Sequence, residues 1–123
     1  PCMAWTFDEK LPIYAQIAQH IKLKIISQEI KTGEKLPTVR DYAQEAGVNP
    51  NTMQRAFTEL EREGMVYSKR TSGRFVTEDE ALIAKVRKEV AETELAQFVK
   101  KMTSIGFEQN DIVPILEDYI KGE

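Results

Sequence analysis

The chain has 123 residues, of which 41% are hydrophobic and 30% are charged, a composition typical of a globular protein. Its apolar runs are only a few residues long, which excludes a membrane-spanning helix, and its start lacks the basic patch and apolar core of a secretory signal. Cys2 is the only cysteine, so no disulfide can form within one chain. These features predict a cytoplasmic protein with no membrane partner.

The formal net charge of −3 is unevenly distributed along the chain. Residues 1–77 carry 11 Lys and Arg against 9 Asp and Glu, whereas residues 78–123 carry 6 against 11. Such asymmetry predicts two parts with different partners. The stretch "VYSKRTSGRFV", residues 66–76, contains three basic residues and no acid, so it can present a positive patch on an acidic protein.

The first predicted element is an amphipathic helix that follows an extended arm with Trp5 and Phe7 as anchors. Isoleucines four residues apart in "PIYAQIAQHIKLKIISQEI" indicate a helix over residues 12–30, with Pro12 in its first turn, where a missing N–H costs nothing. "KTGEKLP" then breaks this helix, because glycine and proline interrupt regular structure.

Two short helices separated by a tight turn are predicted next. Thr38 is a suitable N-cap for the helix "VRDYAQEA", and Gly47 can end it by adopting a positive φ. Asn49 can cap a third helix with Pro50 at its first position. The segment "GVNPN" therefore ends one helix and begins another within about four residues, which is the length of a helix-turn-helix connection.

The third helix has the clearest pattern, and a hairpin follows it. Gly64 ends the helix, and alternation around residues 65–67 and 75–77, with a Ser-, Thr- and Gly-rich turn between them, predicts two antiparallel strands. The apolar face of the helix has the spacing i, i+3, i+4, i+7 and consists of Met53, Ala56, Phe57 and Leu60.

Residues 78–123 predict two further helices, which Gly106 separates. The second runs from about Gln109 to Lys121, but Pro114 is compatible only with a first turn, so the start of this helix stays open by a few residues. Two helices cannot close a core between them, so their apolar surface must contact either the first domain or another copy of the chain. We expect a homodimer, with the interface formed by Leu82, Ile83, Val86, Val90, Leu95, Phe98, Val99, Met102, Ile115 and Leu116.

The order helix, helix, tight turn, helix and hairpin predicts a mainly α fold with a small β-wing: a winged helix-turn-helix domain over residues 1–77 and a two-helix dimerisation domain over 78–123. The third helix fits the major groove of double-stranded DNA, and Arg40 at the start of the second helix can contact phosphate. Ordinary surface helices also carry polar side chains, so a protein-docking winged helix is the alternative. The predicted DNA-binding residues are Arg40, Asn49, Asn51, Thr52, Gln54, Arg55, Lys69, Arg70, Gly73 and Arg74.

The segment from residue 11 to 77 resembles the DNA-binding domain of the GntR family of bacterial transcription regulators. "LPTVR" is similar to the LPSxR element of that family, "VNPNTMQRAFTELEREG" to its recognition helix and "SGRFV" to its wing. The resemblance implies that Arg40, Thr52 and Gly73 occupy family positions, and it favours a repressor of a palindromic operator. The family often has arginines where Pro50 and Gln54 stand, so those roles do not transfer. The short C-terminal part resembles the YtrA subfamily, which dimerises through two helices.

Other functions have little support in the residues. His20 is the only histidine and belongs to an isoleucine-rich helix, so we interpret it as a boundary residue. The sequence contains no nucleophile triad, phosphate loop or Cys/His metal cluster, and we therefore expect no enzyme, cofactor or metal. A small-molecule effector stays open, because a dimer interface could supply the pocket that one chain lacks.

Overall fold

A computed structural model describes residues 7–122, so Cys2 and Trp5 lie outside the described part. These residues form two compact units that divide between Val86 and Arg87, inside the fourth helix. The predicted functional boundary between residues 77 and 78 stays a prediction. The elements are α1 (Ile13–Ile26), α2 (Val39–Ala46), α3 (Pro50–Arg62), β1 (Val66–Lys69), β2 (Gly73–Val76), α4 (Glu80–Ser104) and α5 (Gln109–Lys121).

The predicted caps of the helix-turn-helix are present. Thr38 Oγ1 accepts a hydrogen bond from the Asp41 N–H at 3.1 Å, which satisfies one of the unpaired donors at the start of α2. Gly47 ends α2 with φ 75, and the Val48 N–H returns to the Ala43 carbonyl at 3.0 Å. The turn is therefore held by local bonds that position α3 against α2.

The core of the first unit is the contact between α3 and the two helices that precede it. The buried α1 residues Ile17, Ile21 and Ile25 lie on one helical face, as the four-residue spacing predicts. Tyr42 on α2 packs edge to face against Phe57 on α3, with ring centroids 5.9 Å apart. Burial raises the pKa of the Tyr42 hydroxyl to about 12, so this ring stays neutral at physiological pH.

Strands β1 and β2 form the predicted antiparallel hairpin, with Val66 opposite Val76 and Lys69 opposite Gly73. The segment that precedes α2 pairs with the other edge of β2: the Leu36 N–H donates to the Arg74 carbonyl at 2.9 Å, and the Val76 N–H donates to the Glu34 carbonyl at 2.9 Å. This second pairing was not predicted, because "KTGEKLP" lacks the alternating pattern of a strand.

The prediction that the first helix reaches residue 30 is wrong at its end. The helix stops at Ile26, and Gln28 adopts φ 66, which takes the backbone out of the helix. The Ile30 N–H then bonds to the Lys24 carbonyl at 3.0 Å. Ile30 follows Ile26 at the four-residue spacing of the apolar face. It lies in a folded-back turn and not in the helix, so the spacing alone does not mark the helix end.

The second unit contains α4 from Arg87 onward and all of α5. Glu108 and Asp111 form a capping box, in which each side chain accepts the backbone N–H of the other, and this box begins α5 at Gln109. Pro114 consequently lies beyond the first turn, contrary to our prediction, and removes one helical bond. Within residues 7–122, no helix is long and apolar enough to cross a bilayer.

The buried face of α3 generates a stability prediction. Phe57→Ala should lower the free energy of unfolding by about 3–5 kcal/mol, because a fully buried aromatic side chain leaves a cavity. Gln44→Ala, at an exposed position of α2, is the control and should change it by less than about 0.5 kcal/mol. Urea unfolding followed by circular dichroism measures both, and equal midpoints would contradict this account of the core.

Candidate nucleic-acid interface

The two faces of α3 differ completely in exposure. Met53, Ala56, Phe57 and Leu60 are each 0% exposed, as predicted. On the outer surface, Asn51, Gln54 and Arg55 are exposed, whereas Thr52 is half-buried. A helix anchored in this way presents its early polar side chains as a rigid set, since the buried face fixes its rotation about its own axis.

The beginning of α3 is free of acidic residues and keeps its positive dipole end uncompensated. Pro50 occupies the first turn, and Asn49 Oδ1 accepts the Asn51 N–H at 2.7 Å. The cap uses one acceptor site of the Asn49 side-chain oxygen, and the amide NH₂ of Asn49 is not used by the cap. Such an end attracts anions such as phosphate.

The exposed side chains of α3 fall into two rows along the helix. Gln54 Nε2 donates to Thr58 Oγ1 at 3.4 Å, so these two side chains follow one row with Asn51. Arg55 belongs to the neighbouring row, where its guanidinium carbon lies 3.9 Å from the centroid of the Tyr14 ring on α1. Sequence reasoning did not identify Tyr14 as part of this surface, because 41 residues separate it from Arg55.

Three acidic residues lie on the second half of α3 and its end, and each has a basic partner. Glu59 pairs with Arg62, and this hydrogen bond lowers the pKa of the Glu59 carboxyl below its usual range. Glu63 Oε1 lies 2.7 Å from Lys22 Nζ on α1. Glu61 pairs with Arg74 of the β1–β2 hairpin, which is the wing. Their negative charges are compensated locally, so they interfere less with a polyanion at the other end of the helix.

The tip of the β1–β2 hairpin carries the predicted basic residues Lys69 and Arg70, both exposed. Gly73 has φ 107, a backbone conformation that favours glycine, and a Cβ there would lie 3.1 Å from Cε of Lys35. Lys35 thus adds a positive charge beside the wing glycine. Sequence reasoning missed Lys35, although its position just ahead of "LPTVR" is a usable signal.

Arg74 points back toward α3, in contrast to the other wing residues. Its Nε lies 3.4 Å from Glu61 Oε2, and its guanidinium carbon lies 5.2 Å from the Phe57 ring centroid. Ser68 on β1 also hydrogen-bonds Glu61, so a single carboxylate holds both strands. With its side chain 24% exposed and paired, Arg74 is placed to attach the wing to α3.

Arg40 is exposed in the first turn of α2, one residue before Asp41. The residues just ahead of it line a cleft of about 330 Å³ together with the wing tip, from Lys35 to Val39 on one side and from Thr71 to Arg74 on the other. The structure therefore brings the start of α2 close to the wing.

The predicted dimer residues divide between the two units. Ile83 is 4% exposed in the single chain and has little surface left for a partner. Leu82 packs close to Gly64, where an added Cβ would lie 3.2 Å from Leu82 Cδ2. Leu95 is 55% exposed, and a wholly apolar cleft of about 320 Å³ in the second unit is lined by Phe98, Met102, Ile115, Leu116 and Tyr119. The remaining three predicted residues, Val86, Val90 and Val99, are half-buried.

The winged fold and this polar surface define a DNA-binding transcription regulator of the helix-turn-helix class. Residues 13–76, just over half of the chain, match the family described as "Bacterial regulatory proteins, gntR family". The chain belongs to the GntR family. The described residues contain no group of three or more His, Cys, Asp or Glu suited to a metal ion.

Two relatives from Bacillus subtilis illustrate the match. The HTH-type regulator YhcF is 34% identical over 116 residues, which cover 94% of this chain and 96% of YhcF. The repressor YtrA is 43% identical over 68 residues, which cover 55% of this chain and 52% of YtrA. The chain therefore matches YhcF over nearly its whole length and YtrA over about half.

Two solved structures agree with this fold. A GntR family regulator from Listeria monocytogenes has a TM-score of 0.82 at 33% identity and covers 91% of this chain and 98% of its own. The AraR DNA-binding domain in complex with operator ORX1 has a TM-score of 0.53 at 32% identity and covers 61% and 92%. The predicted fold class and the resemblance to YtrA-like members of the family are thereby confirmed.

The position of Arg74 generates a prediction that separates anchoring from DNA contact. Arg74→Ala should lower the free energy of unfolding by about 1 kcal/mol, because it leaves Glu61 partly buried without its charge partner. Arg70→Ala, at the exposed tip of the same hairpin, is the matched control and should leave stability unchanged. Thermal melts without DNA measure both. Equal melting temperatures for the two variants would contradict the anchoring role.

Proposed function

We propose that this chain represses transcription by binding, as a homodimer, an operator with two-fold symmetry. The observation that carries the proposal is the exposed, acid-free start of α3 opposite a wholly buried face. A helix of this width fits the major groove, where Asn and Gln can bond adenine in pairs. The complex of the related AraR domain with an operator supports the same mode here.

The proposed contacts divide by chemistry. Asn49, Asn51, Thr52 and Gln54 face the bases, since amide and hydroxyl groups can both donate and accept hydrogen bonds along a base edge. The cations Arg40, Lys69 and Arg70, together with Lys35 and the backbone at Gly73, contact phosphates, which position the protein without reading sequence. Arg55 has a separate role that follows from its contact with Tyr14. Arg74 contributes by holding the hairpin in place.

Dimerisation is proposed through the second unit. Its exposed apolar residues include Leu95, Val113, Tyr119 and Ile120, each more than half exposed, which is an unusual concentration for two short helices. Covering them with a second copy removes this surface from water and stabilises the pair by roughly 25 cal/mol for each Å² buried. In the proposed dimer, the apolar cleft lined by Phe98 and its neighbours is covered by the partner.

Two-fold symmetry has a geometric consequence for the operator. A dimer would present two α3 helices one helical turn of DNA apart, about 34 Å, or a multiple of that spacing. Repression is proposed because YtrA is named a repressor. We further propose a cytoplasmic, non-enzymatic protein, since its relatives are named transcriptional regulators. The small-molecule effector remains an untested prediction.

The proposed phosphate contacts predict a strong dependence on salt. Duplexes selected from a random pool should contain a palindromic motif, and their affinity should fall with a slope of at least about −7 in log K against log salt, since the four cations proposed to contact phosphate make roughly eight phosphate contacts per dimer. Arg40→Ala should weaken binding to all duplexes and make the slope shallower by about two, one contact per subunit. Titration of labelled duplex at several salt concentrations measures these slopes.

Lys100→Ala is the control for that experiment, because Lys100 is an exposed cation of α4 in the second unit. It should leave both affinity and slope unchanged. If no duplex is enriched, or binding is flat with salt, the protein-docking alternative gains support and the DNA-binding proposal fails.

The proposed dimer predicts that charge on the apolar surface of the second unit will separate the subunits. Leu95→Glu or Phe98→Glu should convert dimer to monomer and weaken operator binding by at least about 100-fold, because a buried carboxylate without a partner is strongly unfavourable. Leu23→Glu, an exposed leucine of α1, should leave the dimer intact. Sedimentation equilibrium gives the mass. A wild-type protein that sediments as a monomer at micromolar concentration would refute the dimer.

A further inference from the structure

The starts of α1 and α3 lie side by side and form an open cleft. It has a volume of about 520 Å³ and is lined by Pro12, Ile13, Tyr14, Asn51, Thr52 and Arg55. Neither helix has an acidic residue in its first turn, and no acid lines the cleft. Arg55 is the one charged group in the lining, so the cleft is electropositive and contains the Thr52 hydroxyl as a further polar group.

The Arg55 guanidinium does not extend freely into solvent from this cleft. Its central carbon lies 3.9 Å from the Tyr14 ring centroid, which is the distance of a stacked cation–π pair. Tyr14 is itself half-buried at the start of α1, so its ring is a supported platform. A stacked guanidinium keeps its N–H groups at the plane edge available for a phosphate oxygen, while its rotamers are restricted before DNA arrives.

Gln54, which precedes Arg55 on α3, belongs to the row of exposed side chains that contains Asn51 and Thr58. Gln54 hydrogen-bonds Thr58, one turn further along the helix, at 3.4 Å. Arg55 instead belongs to the row that contains Thr52 and runs beside α1. The consecutive side chains of Gln54 and Arg55 thus lie in different rows of the exposed surface of α3, and they have different neighbours.

We propose that Tyr14 is a positioning residue that holds Arg55 in this cleft to bind a backbone phosphate of the operator, so that Arg55 contacts the DNA backbone and not a base. The proposal rests on the proposed function, since it assigns one contact within the same interface. Restricting the long arginine side chain beforehand lowers the ordering cost of binding, so the stacking increases affinity without adding sequence preference.

The test is a double-mutant cycle on the selected operator with full-length protein. Arg55→Ala should weaken binding to all duplexes about equally, should make the salt slope shallower by about one per subunit and should leave the base-preference profile unchanged. Tyr14→Leu should weaken binding about 2–12-fold, which corresponds to the cost of ordering one long side chain on binding. The double variant should bind no more weakly than Arg55→Ala alone.

Two further variants distinguish stacking from other roles of the ring. Tyr14→Phe keeps the aromatic face and should recover most of the affinity that Tyr14→Leu loses. Arg55→Lys keeps the charge and the salt slope but loses the planar stack, so its affinity should resemble that of Tyr14→Leu. Gln54→Ala serves as the comparison for base reading and should alter the preference profile. Circular dichroism melts show whether each variant is folded.

The outcomes separate this inference from the proposed function. If wild-type protein binds the operator but the Tyr14→Leu and Arg55→Ala effects add, the positioning role is wrong. If Tyr14→Phe binds as weakly as Tyr14→Leu, the hydroxyl contacts DNA and stacking is not the cause. If Arg55→Ala changes base preference, Arg55 reads a base. Should Tyr14→Leu fail to fold, the Arg55→Ala profile and the Arg55→Lys slope still decide between backbone and base.

Discussion

The burial of one face of α3 is the constraint on which the rest of the first unit depends. Phe57 has no exposed surface, and it contacts Tyr42 of α2 and the guanidinium of Arg74 from the wing. The side chain of Phe57 therefore joins α2, α3 and β2. Because this face cannot rotate without opening the core, the exposed residues of α3 keep fixed directions, and their chemistry can be interpreted residue by residue.

Local chemistry made much of the fold predictable, because the determining signals lie within a few residues of each boundary. Thr38, Gly47, Asn49 and Pro50 each act on the nearest backbone groups, and the structure has their caps where they were predicted. The prediction for Pro114 was wrong for the same kind of reason. The capping box at Glu108 sets the start of α5, and it has a stronger local effect than the proline six residues downstream.

The direction of side chains across the interface could not be obtained from the sequence. Lys69, Arg70 and Arg74 look equivalent in a basic stretch, yet only Arg74 pairs with Glu61 and packs over Phe57. Likewise, nothing near Arg55 indicates that its neighbour is Tyr14. Both contacts join residues that are far apart along the chain, and they depend on helix packing that residue patterns do not specify.

The unpredicted pairing between residues 33–36 and β2 affects which partners the wing can accept. Three backbone hydrogen bonds, among them the one from the Gly33 N–H to the Val76 carbonyl at 3.0 Å, saturate that side of the strand. Proteins that recruit an extended peptide by adding it to a sheet need an unpaired edge. On this side the chain serves as its own edge strand. Foreign β-strands are thereby excluded from this edge of β2, and the covering segment carries Glu34, Lys35 and Pro37, which are residue types that discourage further strand pairing.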